Sequence, residues 1–153
     1  MTLERLAGDY WEAFLHQHPT FATAIGDRRF DHRLEDNAPE ARAAWRSALQ
    51  DFEHRLESTD DGDPVTRAAL AEALKTDKAH LDADLEAFNV DPMDGPQVDL
   101  LNIPSYQPIR SAEEADALLA RWRDMPRYLD RRARTCDAGW PRGASVWRCC
   151  AAR

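Results

Sequence analysis

The sequence predicts an all-α protein, and three observations carry the prediction. Apolar residues recur at spacings of three and four along four segments, which is the period of one helix face. Capping residues and prolines stand where these helices should begin and end. The 153 residues are enough to bury a core and contain no apolar run as long as a membrane span. We therefore expect a partial bundle of about four helices with a long proline-rich connection.

The first two predicted helices cover about residues 2–16 and 39–57. The apolar stripe of the first consists of Leu3, Leu6, Tyr10 and Phe14, widened by Trp11 and Leu15. The stripe of the second consists of Ala41, Ala44, Trp45, Ala48, Leu49, Phe52 and Leu56. Pro19 follows the first helix, and Asn37 is the expected N-cap of the second.

The third predicted helix begins with Asp63 as its cap and Pro64 at its first position, and it continues to about Phe88. The fourth begins at Ser111, where Glu114 completes a capping box. The expected stripes are Leu70, Leu74, Leu81, Leu85 and Phe88 in the third helix, and Leu118, Trp122, Met125 and Leu129 in the fourth. Pro126 lies inside the fourth helix, so we expect a kink or a split there.

Residues 89–110, between the last two helices, contain Pro92, Pro96, Pro104 and Pro108. A connection of this length either has a function, such as covering a cleft, or is purely structural, and the sequence favours neither reading. A lone short strand around residues 98–103 is one way for the segment to fold.

The composition restricts location and partners. The net charge of −8 repels phosphate backbones, which argues against nucleic acid as a partner. The N-terminal residues lack the apolar stretch and cleavage site of a signal peptide, so we expect a cytoplasmic protein with no membrane partner.

The charge changes sign near residue 131. Residues 1–130 carry 14 bases and 27 acids, whereas the rest of the chain carries six arginines and one acid, a net charge of +5. All three cysteines, Cys136, Cys149 and Cys150, lie in this basic part. It could dock on an acidic partner, or the thiols could bind zinc, although their spacing is poor for a zinc site. We interpret residues 133–153 as an out-of-frame or disordered tail and residues 1–132 as the helical segment of a larger domain.

No residue is predicted to be catalytic, cofactor-binding or metal-binding. His16 and His18 are two apart at a helix end, and we interpret them as a polar terminus. His32, His54 and His80 are isolated, and no HExxH motif occurs. The acidic turn of Asp60, Asp61 and Asp63 lacks the spacing of a calcium loop, and Asp82, Asp84 and Glu86 resemble a solvated helix face.

Helix amphipathicity does not account for residues 19–36. Thr20 or Thr23 could cap a short helix that Gly26 ends with a positive φ. Acidic Asp27 and Asp31 are placed to pair with an arginine of the set Arg28, Arg29 and Arg33. We interpret the stretch as a structural corner.

This stretch resembles the N-terminal signature of the bacterial family called domain of unknown function 885. The family pattern Pro-x-x-Ala-Thr-x-x-Gly is matched by Pro19, Ala22, Thr23 and Gly26, after a Tyr-Trp pair at Tyr10 and Trp11. An acidic continuation and the helix around residues 117–130 also resemble the family, so the resemblance covers about residues 5–132. The sequence departs from the family's Leu-Arg-x-Gly segment at about Ala133. A shifted reading of residues 135–145, with codons chosen to end mostly in G or C, restores that segment, and this coincidence is the main reason for predicting a frameshift.

The resemblance implies a function that this chain cannot perform alone. Full-length relatives look like helical zinc metallopeptidases whose HExxH helix lies far downstream, so zinc is implied for them only. We expect a catalytically inert fragment that partners the missing part of its parent, with self-association through exposed apolar stripes. A small acidic interaction module with a basic tail is the alternative, and an intact small enzyme is a third hypothesis.

Overall fold

A computed structural model describes residues 2–60, 62–84, 93 and 95–139, with side chains described as far as residue 135. Within these ranges the chain forms six α-helices and one 3-10 turn, and no strand. The helices are α1 (Leu3–Gln17), α2 (Pro19–Ala24), α3 (Pro39–Glu57), α4 (Pro64–Ala83), α5 (Pro96–Tyr106) and α6 (Ala112–Gly139), and the turn is Arg28–Phe30. The prediction of an all-α fold is confirmed.

Helices α1, α3 and α4 enclose the first core. The periodic leucines of α1 meet Leu49 and Leu56 of α3 and Leu70 and Leu74 of α4, and all of them are buried. Burial of one such side chain contributes about 1.5–3 kcal/mol, so this core supplies much of the driving force for folding. Tyr10 adds an edge-to-face contact with Phe52 at 5.7 Å between ring centroids.

A second, smaller core joins the end of the corner to α5 and α6. Leu34 packs with Leu100 and Ile103 of α5 and with Leu118 and Tyr128 of α6. Through Leu100 and Ile103, this core holds the α5 part of the proline-rich connection. The strand considered around residues 98–103 is wrong, because Pro96 occupies the first turn of α5 and its apolar residues follow a helical spacing.

The helix ends follow most of the predicted signals. The carboxylate of Asp63 accepts the Thr66 amide at 2.7 Å and caps α4, and the Ser111 hydroxyl accepts the Glu114 amide at 3.2 Å. The N-cap of α3 is Ala38 and not the predicted Asn37. Helix α4 ends at Ala83, earlier than predicted; Leu85, Glu86 and Phe88 lie outside the described residues.

Helix α6 continues unbroken through Pro126, so the predicted split is absent. The predicted stripe is only partly buried. Leu118 faces the second core and Met125 packs on its edge, whereas Trp122 and Leu129 are exposed. None of the described helices combines the length and apolarity that crossing a membrane requires.

Candidate functional site

The predicted polar helix terminus at His16 and His18 lies at the end of α1. His16 Nε2 is 2.9 Å from Arg33 Nη1, and partial burial, together with the Arg33 charge, lowers the pKa of His16. The His18 ring lies 4.4 Å from Phe14 and 6.3 Å from Trp45, between centroids. Across the described residues, no three His, Cys, Asp or Glu side chains are grouped to hold a metal ion; Asp61, Cys149, Cys150 and the Cys136 side chain lie outside that description.

An open groove of about 670 Å³ runs between α1, α2 and α4. Its floor on α4 includes Ala69 and Ala73, which are one turn apart and therefore on one helix face. Their small side chains leave space beside the large rings of the opposite wall. Those rings are Tyr10, Trp11 and Phe14 of α1 and Phe21 of α2.

Three aromatic rings form one wall of the groove, and their planes lie in two orientations. Trp11 and Phe14 are stacked at 5.7 Å with an interplanar angle of 11°. Phe21 stands nearly perpendicular to both, at 85° to Trp11 and 83° to Phe14. Trp11 and Phe21 remain 44% and 43% exposed, so their rings are accessible to a ligand.

A half-buried acid lies at one end of this groove. The Tyr10 hydroxyl donates a 2.9 Å hydrogen bond to Asp77 Oδ2. Burial raises the pKa of Asp77, although the hydrogen bond from Tyr10 and the charges of His18 and His80 act in the opposite direction. Burial, and then the Asp77 charge, raises the pKa of Tyr10. The carboxylate is therefore incompletely solvated and would gain from a cationic neighbour.

Asp77 also borders a smaller cavity of about 260 Å³ behind the groove. The lining of this cavity includes His18, Trp45 and His80. The acid thus separates an aromatic groove from a histidine-lined cavity. Within the described residues, the groove combines aromatic ring faces with the carboxylates of Glu72 and Asp77, an arrangement that suits the binding of a ligand.

The wall that carries Phe21 is held by Arg121 of α6. The Arg121 side chain is completely buried. Its guanidinium donates to the carbonyl oxygens of Arg33 and Phe30, each at 2.8 Å. It also donates to Thr23 Oγ1 at 2.8 Å and to Gln107 Oε1 at 2.7 Å. One side chain therefore connects α2, the corner and α5.

The corner itself is closed by a second layer of polar contacts. The Thr23 hydroxyl lies 2.8 Å from Asp31 Oδ1, and Arg28 Nε lies 2.9 Å from Asp31 Oδ2. Gln107 Nε2 donates to the Asp31 carbonyl oxygen at 3.0 Å. Burial lowers the pKa of Arg121, and the Asp31 charge partly opposes this effect.

These contacts confirm that residues 19–36 form a corner with the predicted pairing of Asp31 and Arg28. Asp27 pairs with Arg29 as well, and Gly26 has the predicted positive φ, at 94°. The prediction that Thr20 or Thr23 caps the short helix is wrong. His18 is the N-cap of α2, while the Thr20 hydroxyl donates to Glu35 at 2.5 Å.

Two residues that hold the corner, Arg121 and Gln107, were not predicted from the sequence. Arg121 follows Leu118 by three residues and precedes Met125 by four, so it lies on the apolar stripe of α6. An arginine at that position was the available signal, because such a residue must find buried hydrogen-bond acceptors. Gln107 directly follows α5 and had no comparable signal.

A cleft of about 820 Å³ separates α3 and the end of α4 from α6. Its walls carry four arginines, and each of them pairs with an acidic side chain of this chain. The pairs are Arg42–Asp84, Arg46–Asp82, Arg131–Asp36 and Arg134–Asp130. Internal pairing reduces the charge available to an outside ligand, so we take the aromatic groove as the candidate site.

These pairs also bear on the docking considered for the basic tail. Arg131 and Arg134 are engaged within the fold, and Arg132 is buried. The remaining three arginines, at positions 142, 148 and 153, lie outside the described residues. Docking on an acidic partner would therefore depend mainly on those three and on Arg134, whose pair with Asp130 is exposed and weak.

Comparison with known proteins gives a family match that covers most of the chain. The model of a family described as bacterial protein of unknown function (DUF885) matches residues 19–149. The matched range contains the whole corner, Arg121 and most of residues 133–153; the reading-frame change in that tail stays a prediction. No curated protein and no solved structure matches the chain.

Proposed function

Because this chain belongs to the DUF885 family of bacterial proteins, we propose that it is a non-catalytic helical part of a larger peptidase-like protein. In this proposal the aromatic groove lies beside the peptide-binding cleft of the complete protein. The peptidase-like activity is inferred from the resemblance of full-length relatives to HExxH enzymes. The chain contributes binding surface and scaffold to that activity.

One observation carries the proposal that the chain packs against further structure. Helix α6 is apolar on two faces, but the second core covers only the face that bears Leu118 and Tyr128. Leu119, Trp122 and Leu129 are spaced by three and seven residues and are all exposed. We call these three residues the outer stripe of α6. A stripe with this spacing is typical of a helix that packs on another element.

Zinc, which the resemblance implies for full-length relatives, has no group of ligands among the described residues. These residues therefore do not fit a zinc site, and the proposal gives them no step of a zinc mechanism. Hydrogen bonds from Arg121 hold the corner against α6 and α5. This arrangement suits a wall that fixes the position of a bound peptide.

A peptide-hydrolysis assay of the purified 153-residue chain tests the proposal that the chain is non-catalytic. A panel of internally quenched peptides is incubated with the chain, with added Zn²⁺ and separately with a chelator. We expect rates equal to those of buffer alone in both cases. Cleavage that is abolished by the chelator would overturn the proposal, because the chain would then be an enzyme by itself.

A further inference from the structure

The groove combines two features that attract a cation. Aromatic ring faces carry the negative part of a quadrupole, and a cation close to a ring face is stabilised by it. Trp11, Phe14 and Phe21 supply faces in two nearly perpendicular orientations. The Asp77 carboxylate lies at the end of the same groove.

We propose that this groove binds the arginine side chain of a peptide, with the guanidinium between the aromatic rings and Asp77. The proposal deepens the proposed function and rests on it, because it names the kind of peptide residue that the groove would recognise. A guanidinium is planar, stacks on aromatic faces and donates paired hydrogen bonds to a carboxylate. The methylene stem of arginine suits the apolar floor made by Ala69 and Ala73.

The charges around the groove agree with a cationic ligand. The exposed acid Glu72 lies at the rim, and Asp77 lies deeper. Lys75 pairs with Glu72 at 3.2 Å, but both side chains are largely exposed and such a pair is weak. Among the described residues, Tyr10, His18 and His80 act on Asp77, and Arg42, which lines the smaller cavity beside it, pairs with Asp84 at 2.6 Å.

The polar contact that holds Asp77 also orients it. Tyr10 donates to one carboxylate oxygen, Oδ2. Because Tyr10 belongs to the first core, its hydroxyl is fixed by packing. A preorganised acceptor of this kind loses little conformational entropy when a ligand arrives.

The test compares two blocked tripeptides that differ only in the charge of the central residue. One contains arginine and the other contains citrulline, which has nearly the same shape without the charge. Binding to the full 153-residue chain is followed by two-dimensional amide NMR. We expect the arginine peptide to shift amide signals of α1, α2 and α4 and to bind about tenfold more tightly than the citrulline peptide.

Matched variants locate the interaction. Trp11→Ala removes one ring and Asp77→Asn removes the carboxylate charge, and each should weaken the arginine peptide several-fold. Ile109→Ala is the apolar control, because Ile109 is 55% exposed and belongs neither to the groove nor to the outer stripe of α6. Asp116→Asn is the charge control, as Asp116 is exposed on α6. The dispersion of the amide spectrum shows whether each variant is folded, and Trp11→Ala still tests the site if Asp77→Asn is not.

The outcomes separate this inference from the proposed function. Equal binding of the two peptides in the groove would overturn arginine recognition but leave a peptide-binding wall intact. Absence of signal changes in α1, α2 and α4 with both peptides would overturn the inference together with the groove's role in binding. Cleavage of either peptide by the chain would contradict the proposed non-catalytic role, whatever the binding result.

Discussion

Arg121 shows how one residue makes a corner rigid. Its guanidinium satisfies acceptors from α2, the corner and α5 at once. Burial of such a group is costly unless its donors are used. In this fold the guanidinium donors of Arg121 have acceptors. The stability of the fold therefore depends both on the arginine and on the corner that supplies those acceptors.

We expect Arg121→Met to lower the free energy of unfolding by about 3 kcal/mol, because it leaves the Thr23 hydroxyl, the Gln107 amide oxygen and two carbonyl oxygens with fewer partners. Urea unfolding followed by circular dichroism measures the loss. Arg123→Met on the same helix is the control, since Arg123 is exposed, and it should change stability by less than about 0.5 kcal/mol. Equal stability of the two variants would refute the role given to Arg121.

Asp77 should make stability depend on pH. Burial raises its pKa above the ordinary value for an aspartate, so folding favours the protonated acid. This favourable contribution is present below the unfolded pKa and is lost as pH rises through the folded pKa. Asp77→Asn cannot ionise, so the stability of the variant relative to the wild type should increase as pH rises from about 4 to 7.

Urea unfolding of the wild type and of Asp77→Asn at several pH values in that window gives the difference in their free energies of unfolding. Among the described residues, Tyr10, His18 and His80 act on Asp77 and Arg42 lines the same cavity. All four are present in both proteins. If the variant instead became less stable relative to the wild type as pH rises, the raised pKa of Asp77 would be contradicted.

At the scale of elements, the predictable parts are those whose signals are local. Helix α3 occupies residues 39–57 as predicted, because Pro39 sets its start and its apolar stripe is continuous. Helix α5 was missed because four nearby prolines suggested an irregular segment. Two of those prolines fit the helix, with Pro96 at its first turn and Pro104 near its end. The corner could be recognised as a corner, but the residue that holds it lies about 90 positions away in the chain.

Two glycines in turns and one inside a helix give a graded test of the backbone. Gly62 has a φ of 120°, and a Cβ there would lie 2.5 Å from Leu3 Cβ. Gly26 has a φ of 94° but open space around it. We expect Gly62→Ala to cost about 2–3 kcal/mol and Gly26→Ala about 1 kcal/mol.

Gly8, inside α1, has nothing within 4 Å of an added Cβ. Gly8→Ala should therefore stabilise the chain by about 0.5–1 kcal/mol, since glycine is unfavourable in a helix interior. Thermal unfolding of the three variants gives the order of their stabilities. If Gly62→Ala were as stable as Gly8→Ala, the turn at Gly62 would not approach Leu3 of α1 as closely as described.

At the scale of the whole molecule, the described residues form two buried cores and leave two apolar surfaces exposed. The first surface is the groove, and the second is the outer stripe of α6, consisting of Leu119, Trp122 and Leu129. Contiguous apolar surface of this kind commonly marks an interface. The prediction of self-association follows from it, with the outer stripe as the contact.

We expect the chain to associate in sedimentation velocity as its concentration is raised, and Trp122→Gln to reduce this association. Arg123→Gln, which changes an exposed neighbour outside the stripe, is the control and should associate like the wild type. A wild-type chain that stays monomeric at high concentration would mean that the outer stripe is tolerated in solvent. The packing role given to α6 would then lose its support.

The most direct test of the proposed parent protein is the nucleotide sequence across codons 125–153 and about a kilobase beyond, read in all three forward frames. We predict that another frame restores a Leu-Arg-x-Gly segment from about residue 133 and continues to an HExxH helix. The chain would then be the helical, non-catalytic part of a peptidase-like protein. If no other frame is open, the tail with Cys149 and Cys150 is genuine, and the proposal of a larger peptidase-like parent is contradicted.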